Sequence, residues 1–87
     1  MSSRRNKFEI WSEVMESCLR TPRTQTWLLR EIRLKTQAVK ETLQFLLTRH
    51  LIEEVNDADG IRYQTTKKGE EALIKYYNLI NDFFELD

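Results

Sequence analysis

Apolar residues in the first quarter of the chain return at three- and four-residue steps: Phe8, Ile10, Trp11, Val14, Met15, Cys18 and Leu19. That period puts them on one helix face, so the spacing predicts a helix from Asn6 to Leu19. Asn6 followed by Glu9 has the form of a capping box, with Asn in the usual Ser or Thr position. Thr21-Pro22-Arg23 ends this helix, because proline pushes the residue before it out of helical geometry. Thr24 is placed to cap a second helix carrying Trp27, Leu28, Leu29 and Ile32, and Arg33-Leu34-Lys35 is a short turn. Thr36 is expected to cap a third helix whose buried stripe is Val39, Leu43, Leu46 and Leu47. Gln37, Lys40, Glu41, Gln44 and Thr48 then point outward. Two helices joined by so short a turn have helix-turn-helix spacing.

Leu51 to Val55 and Ile61 to Thr65 read as two short strands, rich in β-branched and aromatic residues, around the tip Asn56-Asp57-Ala58-Asp59-Gly60. Gly60 supplies the positive φ that such a tip usually needs. Thr66 is expected to cap a long helix from Lys67 to Leu86, with Glu70 and Glu71 where the helix dipole favours negative charge. Ala72, Leu73, Tyr76, Tyr77, Leu79, Ile80, Phe83, Phe84 and Leu86 cover most of its circumference, too much for one contact face. The expectation is packing against its own copy in a symmetric dimer, through Leu73, Tyr76, Tyr77, Ile80, Phe83 and Phe84. The alternative is an apolar terminal helix folded back on its own domain.

With 87 residues the chain has room for one domain and a small core. A chain this short buries only roughly 60–65% of the surface its unfolded form exposes, so extra stability is expected from a partner. Two glycines and one proline favour a helix-rich protein with few loops. No apolar run approaches the roughly 18 residues needed to cross a bilayer, and the amino terminus lacks the form of an export signal. The expected location is therefore cytoplasmic, without membrane association. A lone cysteine, Cys18, excludes an internal disulfide and gives no metal-ligand spacing. Cys18 is read as a small buried apolar residue, with pairing across a dimer left open.

The zero net charge conceals a polarity. Residues 1–50 carry ten basic against five acidic side chains, and residues 51–87 carry four against nine. A basic half coinciding with the helix-turn-helix segment suits a polyanion. The other half would be held away from it. One histidine, His50, one distant cysteine and no glycine-rich phosphate loop leave neither a nucleophile-base pair nor a metal cluster to assemble, so the chain is not read as an enzyme, and it calls for no metal and no cofactor. His50 is read as a helix C-terminal residue favoured by the dipole.

The segments Lys7-Phe8-Glu9-Ile10, Val39-Lys40-Glu41-Thr42-Leu43-Gln44-Phe45-Leu46-Leu47, Leu51-Ile52-Glu53-Glu54-Val55 and Tyr63-Gln64-Thr65-Thr66-Lys67-Lys68-Gly69 follow one another in a telling order. Together the chain resembles the archaeal winged-helix regulators and small chromatin-associated proteins related to the MarR and PadR families, over nearly its whole length. The resemblance implies an α+β, mostly helical fold: a three-helix core and β-hairpin wing in residues 1–66, with a short basic arm at Arg4, Arg5 and Lys7, and a C-terminal dimerisation helix in 67–87. It also implies a homodimer that places the third helix in the major groove of double-stranded DNA, with Arg62 on the wing.

Gln37, Lys40 and Gln44 are the expected base readers, since Gln pairs with adenine and Lys with guanine or a phosphate. Thr36 stands beside them at the groove, while Arg30, Arg33 and Lys35 are expected to meet backbone phosphates. Asp57 and Asp59 depart from the basic tips of wings that touch DNA. A sequence-specific transcriptional regulator is the leading expectation, with a non-specific architectural protein or a protein-interaction module as alternatives; no small-molecule effector is evident.

Overall fold

The computed structural model describes residues 6–84. Arg4, Arg5 and Leu86 lie outside the described residues. In chain order the elements are α1 (Lys7–Ser17), α2 (Gln25–Ile32), α3 (Thr36–Thr48), β1 (Ile52–Asp57), β2 (Gly60–Thr65) and α4 (Lys67–Leu79), followed by a π-helical stretch, Ile80–Phe84.

Three of the four helix starts follow from capping chemistry. Asn6 Oδ1 accepts from the Glu9 amide and Glu9 Oε1 accepts from the Asn6 amide, each at 2.8 Å, so the capping box is reciprocal. Thr24 Oγ1 accepts from the Trp27 amide and Thr66 Oγ1 from the Gly69 amide, both at 3.0 Å. The third helix departs from expectation. Its cap is Lys35, which makes no side-chain cap bond, and Thr36 is already the first helical residue. The left-handed Arg33 (φ 62°) reverses the chain ahead of it, and Lys35 contributes its carbonyl to the first helical bond, from the Val39 amide at 3.1 Å.

One core unites the four helices and the start of β1. Val14, Met15 and Cys18 of α1 meet Leu28 and Ile32 of α2, Val39, Leu43 and Leu46 of α3, Ile52 of β1 and Leu73 of α4. Leu73 is only 3% exposed, which corrects its expected place in a dimer interface: it is committed to its own domain, where burial is worth about 1.5–3 kcal/mol. Cys18 is fully buried. Burial pushes its thiol up to about 11 against the opposing pull of Arg23. Pairing with a second copy would require opening this core.

An aromatic stack fixes α3 against α1. Trp11 and Phe45 lie parallel with centroids 4.1 Å apart, and Phe8 meets Trp11 edge-on at 5.2 Å. The Arg49 guanidinium covers the other side of Phe45 at 3.7 Å. Such contacts add about 0.5–1.5 kcal/mol each beyond the area they bury.

The strands form one antiparallel hairpin in which Asp57 pairs with Gly60, so Ala58 and Asp59 alone make the turn. Both strands run closer to the tip than the sequence implied, because Asp57 Oδ1 accepts from the Asp59 amide at 2.8 Å and satisfies the bend locally. Gly60 adopts φ +122° as expected. Beside the hairpin, Arg23 forms one isolated antiparallel bridge with Tyr63.

A Schellman motif closes α3. The Leu51 amide donates to Leu46 O at 2.9 Å and the His50 amide to Leu47 O at 3.0 Å. His50 therefore lies past the helix, at φ 61°, rather than within its last turn. A left-handed L-residue costs about 1–2 kcal/mol, and glycine gives back about 0.5–1 kcal/mol in backbone entropy. His50→Gly is thus expected to stabilise the protein by about 0.5–1 kcal/mol, read as a higher urea midpoint at unchanged slope. An unchanged or lower midpoint would show that the imidazole itself contributes.

Candidate nucleic-acid interface

On α3, Gln37, Glu41, Gln44 and Thr48 follow at four-, three- and four-residue intervals, which aligns them in one stripe. All four are exposed, opposite the stripe of Val39, Thr42, Leu43 and Leu46 that the core buries. Lys40 flanks the outward stripe on one side and Phe45 on the other, and together these six residues line a single open depression. Lys40 and Gln44 also border a second concavity, closed by Gln25 of α2, Leu43 and Leu47 of α3, and Glu54 and Tyr63 of the hairpin.

The outward side chains are tied to one another. Gln37 Nε2 donates to Glu41 Oε2 at 3.1 Å, and Gln44 Nε2 donates to Thr48 Oγ1 at 3.4 Å. Thr48 Oγ1 in turn donates to Gln44 O at 2.8 Å. Pairs of this spacing stabilise a helix by about 0.2–0.5 kcal/mol, and here they also fix where the amides point.

Arg30, Arg33, Lys35, Thr36, Gln37, Lys40 and Gln44 are all exposed. Arg30 lies in the last turn of α2, Arg33 in the turn, and Lys35 at the start of α3. Arg62 is differently placed. Its Nε meets Asp57 Oδ2 at 3.0 Å, with the two side chains 33% and 44% exposed, so the hairpin cation is engaged by a carboxylate of its own tip. The Asp59 amide first, and Arg62 after it, hold the Asp57 carboxyl below the usual carboxylate range. Solvent screens an exposed pair of this kind, so its importance is to the charge the tip presents rather than to stability.

Lys40 thus borders the outward stripe rather than standing in it. Glu41 stands in the stripe itself and balances Lys40 beside it. The sequence places Glu41 on the outward face suited to base edges and phosphates, and Thr48 outward without a role. Gln25 and Tyr63 have no sequence signal at all, because their approach to Lys40 depends on how the hairpin folds back across the helices.

Residues 4–83 match the winged helix-turn-helix family along nearly the whole chain. The chain belongs to that family. Solved structures agree on the fold of this winged helix. The transcriptional regulator BldR from Sulfolobus solfataricus superposes with a TM-score of 0.72 at 18% identity, over 84% of this chain and 58% of BldR. The reduced form of MarR from E. coli gives 0.71 at 15% identity, over 88% of this chain and 57% of that one. An ArsR-like transcriptional regulator from Rhodococcus sp. RHA1 gives 0.60 at 21% identity, over 87% and 68%. The winged helix thus spans under two thirds of the length of BldR and of MarR. No curated protein matches it. Among the described residues no helix is long and apolar enough to cross a membrane.

Proposed function

We propose that this winged helix is a dimeric, sequence-reading transcriptional regulator that binds double-stranded DNA through α3. The observation that carries the reading is the unobstructed stripe Gln37, Glu41, Gln44 and Thr48 on the outer face of a helix-turn-helix, with Lys40 at its margin. Amide, hydroxyl and carboxylate groups at this spacing match base edges in a major groove, which admits one α-helix. Arg30, Arg33 and Lys35, exposed at the end of α2, in the turn and at the start of α3, supply phosphate contacts that fix register in this reading. The likeness to the transcriptional regulator BldR and to an ArsR-like transcriptional regulator supports the same direction.

The exposed apolar residues of α4 and the π-helical stretch support a second copy as partner. Tyr77, Ile80, Phe83 and Phe84 are 38%, 37%, 74% and 62% exposed. A two-fold dimer would present its two α3 helices to half-sites about 10 base pairs apart, or a multiple of that.

Gel retardation at two salt concentrations tests the reading. Affinity is expected to fall with salt at a log-log slope of about 0.9 per phosphate neutralised. No retardation at low salt would reject DNA binding and leave a protein-docking role. Selection from a random duplex pool separates a regulator, which recovers a palindrome, from an architectural protein, which recovers none.

The tip chemistry carries its own prediction. Asp57→Asn removes one negative charge and releases Arg62, so affinity for random duplex is expected to rise several-fold. If Arg62 then reaches a phosphate, the salt slope steepens by about 0.9. An unchanged affinity would place the hairpin tip away from the duplex.

A further inference from the structure

The outward stripe of α3 holds one feature that phosphate attraction does not explain. Glu41 puts a full negative charge on the surface proposed to enter a polyanion's groove, where a neutral side chain would cost less. It is also held in place. The Gln37 amide occupies Oε2 at 3.1 Å, and Oε1 has no hydrogen-bond partner among the described residues. The carboxylate of this exposed residue therefore keeps one acceptor oxygen uncommitted among the described residues, in a depression that Gln37 and Gln44 also line.

We propose that Glu41 is a specificity-determining residue that selects a cytosine in each half-site by accepting a hydrogen bond from its N4 amino group; the inference rests on the reading of α3 as the DNA-contacting helix. The choice of base follows from what each edge presents in the major groove. Guanine shows two acceptors and thymine an acceptor and a methyl group, all of which repel or fail to engage a carboxylate. Adenine offers an N6 donor, but its N7 acceptor lies beside it and faces the second oxygen. Cytosine offers the N4 donor without an adjacent acceptor on the same base.

The same charge opposes binding wherever that donor is missing. At a non-cognate sequence Glu41 loses its waters and gains no partner, which weakens binding to random DNA and widens the gap to the cognate site. Lys40, on the neighbouring flank, keeps the local charge near balance. Glu41 is thus the repulsive element of the reading face as well as one of its acceptors.

The test compares motifs selected from a random duplex pool by the full chain and by Glu41→Gln, a nearly isosteric change at an exposed position. The wild-type motif is expected to hold one C·G pair per half-site, preferred roughly tenfold, at which Glu41→Gln loses discrimination while the other positions stay fixed. Binding of Glu41→Gln to random duplex is expected to tighten by several-fold. Identical motifs for the two proteins, with a uniform change in affinity, overturn the role of Glu41 and leave the DNA-binding reading standing. Failure of the wild-type chain to retain any duplex overturns both.

Discussion

Gly69→Ala is expected to lower stability by about 2–4 kcal/mol and the melting temperature by roughly 10–20 °C, at the conversion usual for a domain of this size. Gly69 is buried three residues after the Thr66 cap, where the first turn of α4 lies against Leu51, the residue before β1. A Cβ built there would overlap the Leu51 carbonyl oxygen and stand 2.7 Å from Thr65 Cγ2. Neither neighbour is free to withdraw. Leu51 O accepts from the Thr66 amide at 3.1 Å, and the Leu51 amide closes the Schellman motif of α3. Thr65 donates from Oγ1 to Met15 O at 2.6 Å and from its amide to Cys18 O at 3.0 Å, while Thr66 Oγ1 donates to His50 O at 2.7 Å.

Making room for one methyl group therefore strains the junction that ties the end of α1, the end of α3 and the hairpin to α4. Overpacking costs about 1–3 kcal/mol, and each hydrogen bond lost adds about 0.5–1.5 kcal/mol. Against this, alanine is favoured over glycine inside a helix by about 1 kcal/mol. The steric terms win. Urea unfolding of the purified variant measures the balance, and a stability equal to or above wild type would mean that α4 can slide away from Leu51 at no cost. Gly60 makes the contrast: nothing lies within 4 Å of its Cβ position and only its φ of +122° opposes substitution.

The element types were legible because their signals are local. Asn6 with Glu9, Thr24 and Thr66 each cap through bonds spanning three residues, a distance that sequence reasoning reaches directly. Thr36 has the right chemistry for the same task, yet the left-handed Arg33 and the extended Lys35 start the helix one residue sooner. Leu73 belongs to an apolar helix that reads as interface from end to end. Only the packing of α4 on α1 separates its buried first half from its exposed second half, and that is a tertiary fact.

The candidate site was legible to the same depth. Periodicity puts Gln37, Lys40, Glu41 and Gln44 outward on α3 without reference to any neighbour. It cannot show that Arg62 spends its charge on Asp57 across the hairpin, or that Glu41 has one oxygen held and the other without a hydrogen bond among the described residues. Those depend on strand register and side-chain rotamers, which no pattern of apolar residues encodes.

The double variant Ile80→Asp, Phe83→Asp is expected to be a folded monomer that binds the palindromic site roughly 10²–10⁴-fold more weakly than wild type. Linking two half-site readers raises affinity by about that factor through effective concentration alone. The argument begins from where α4 goes. Leu73 is buried, Tyr76 is half-buried, and Tyr77 and Ile80 border Glu9, Ser12 and Glu13 of α1. Ile80 at seven residues and Phe84 at eleven continue the stripe that Leu73 starts. By Phe83 and Phe84 exposure has risen to 74% and 62%, so the stripe outlasts the body of its own chain. Aspartate at Ile80 and Phe83 removes apolar surface that contributes little to the monomer core, which is why helicity and cooperative unfolding should survive. Sedimentation of wild type and variant, with half-site and full-site binding in parallel, separates the possibilities. A wild-type chain that sediments as a monomer well above the concentrations at which it binds DNA would remove the dimer from the mechanism. A monomeric variant that retains wild-type affinity for the full site would show instead that each α3 reads DNA alone.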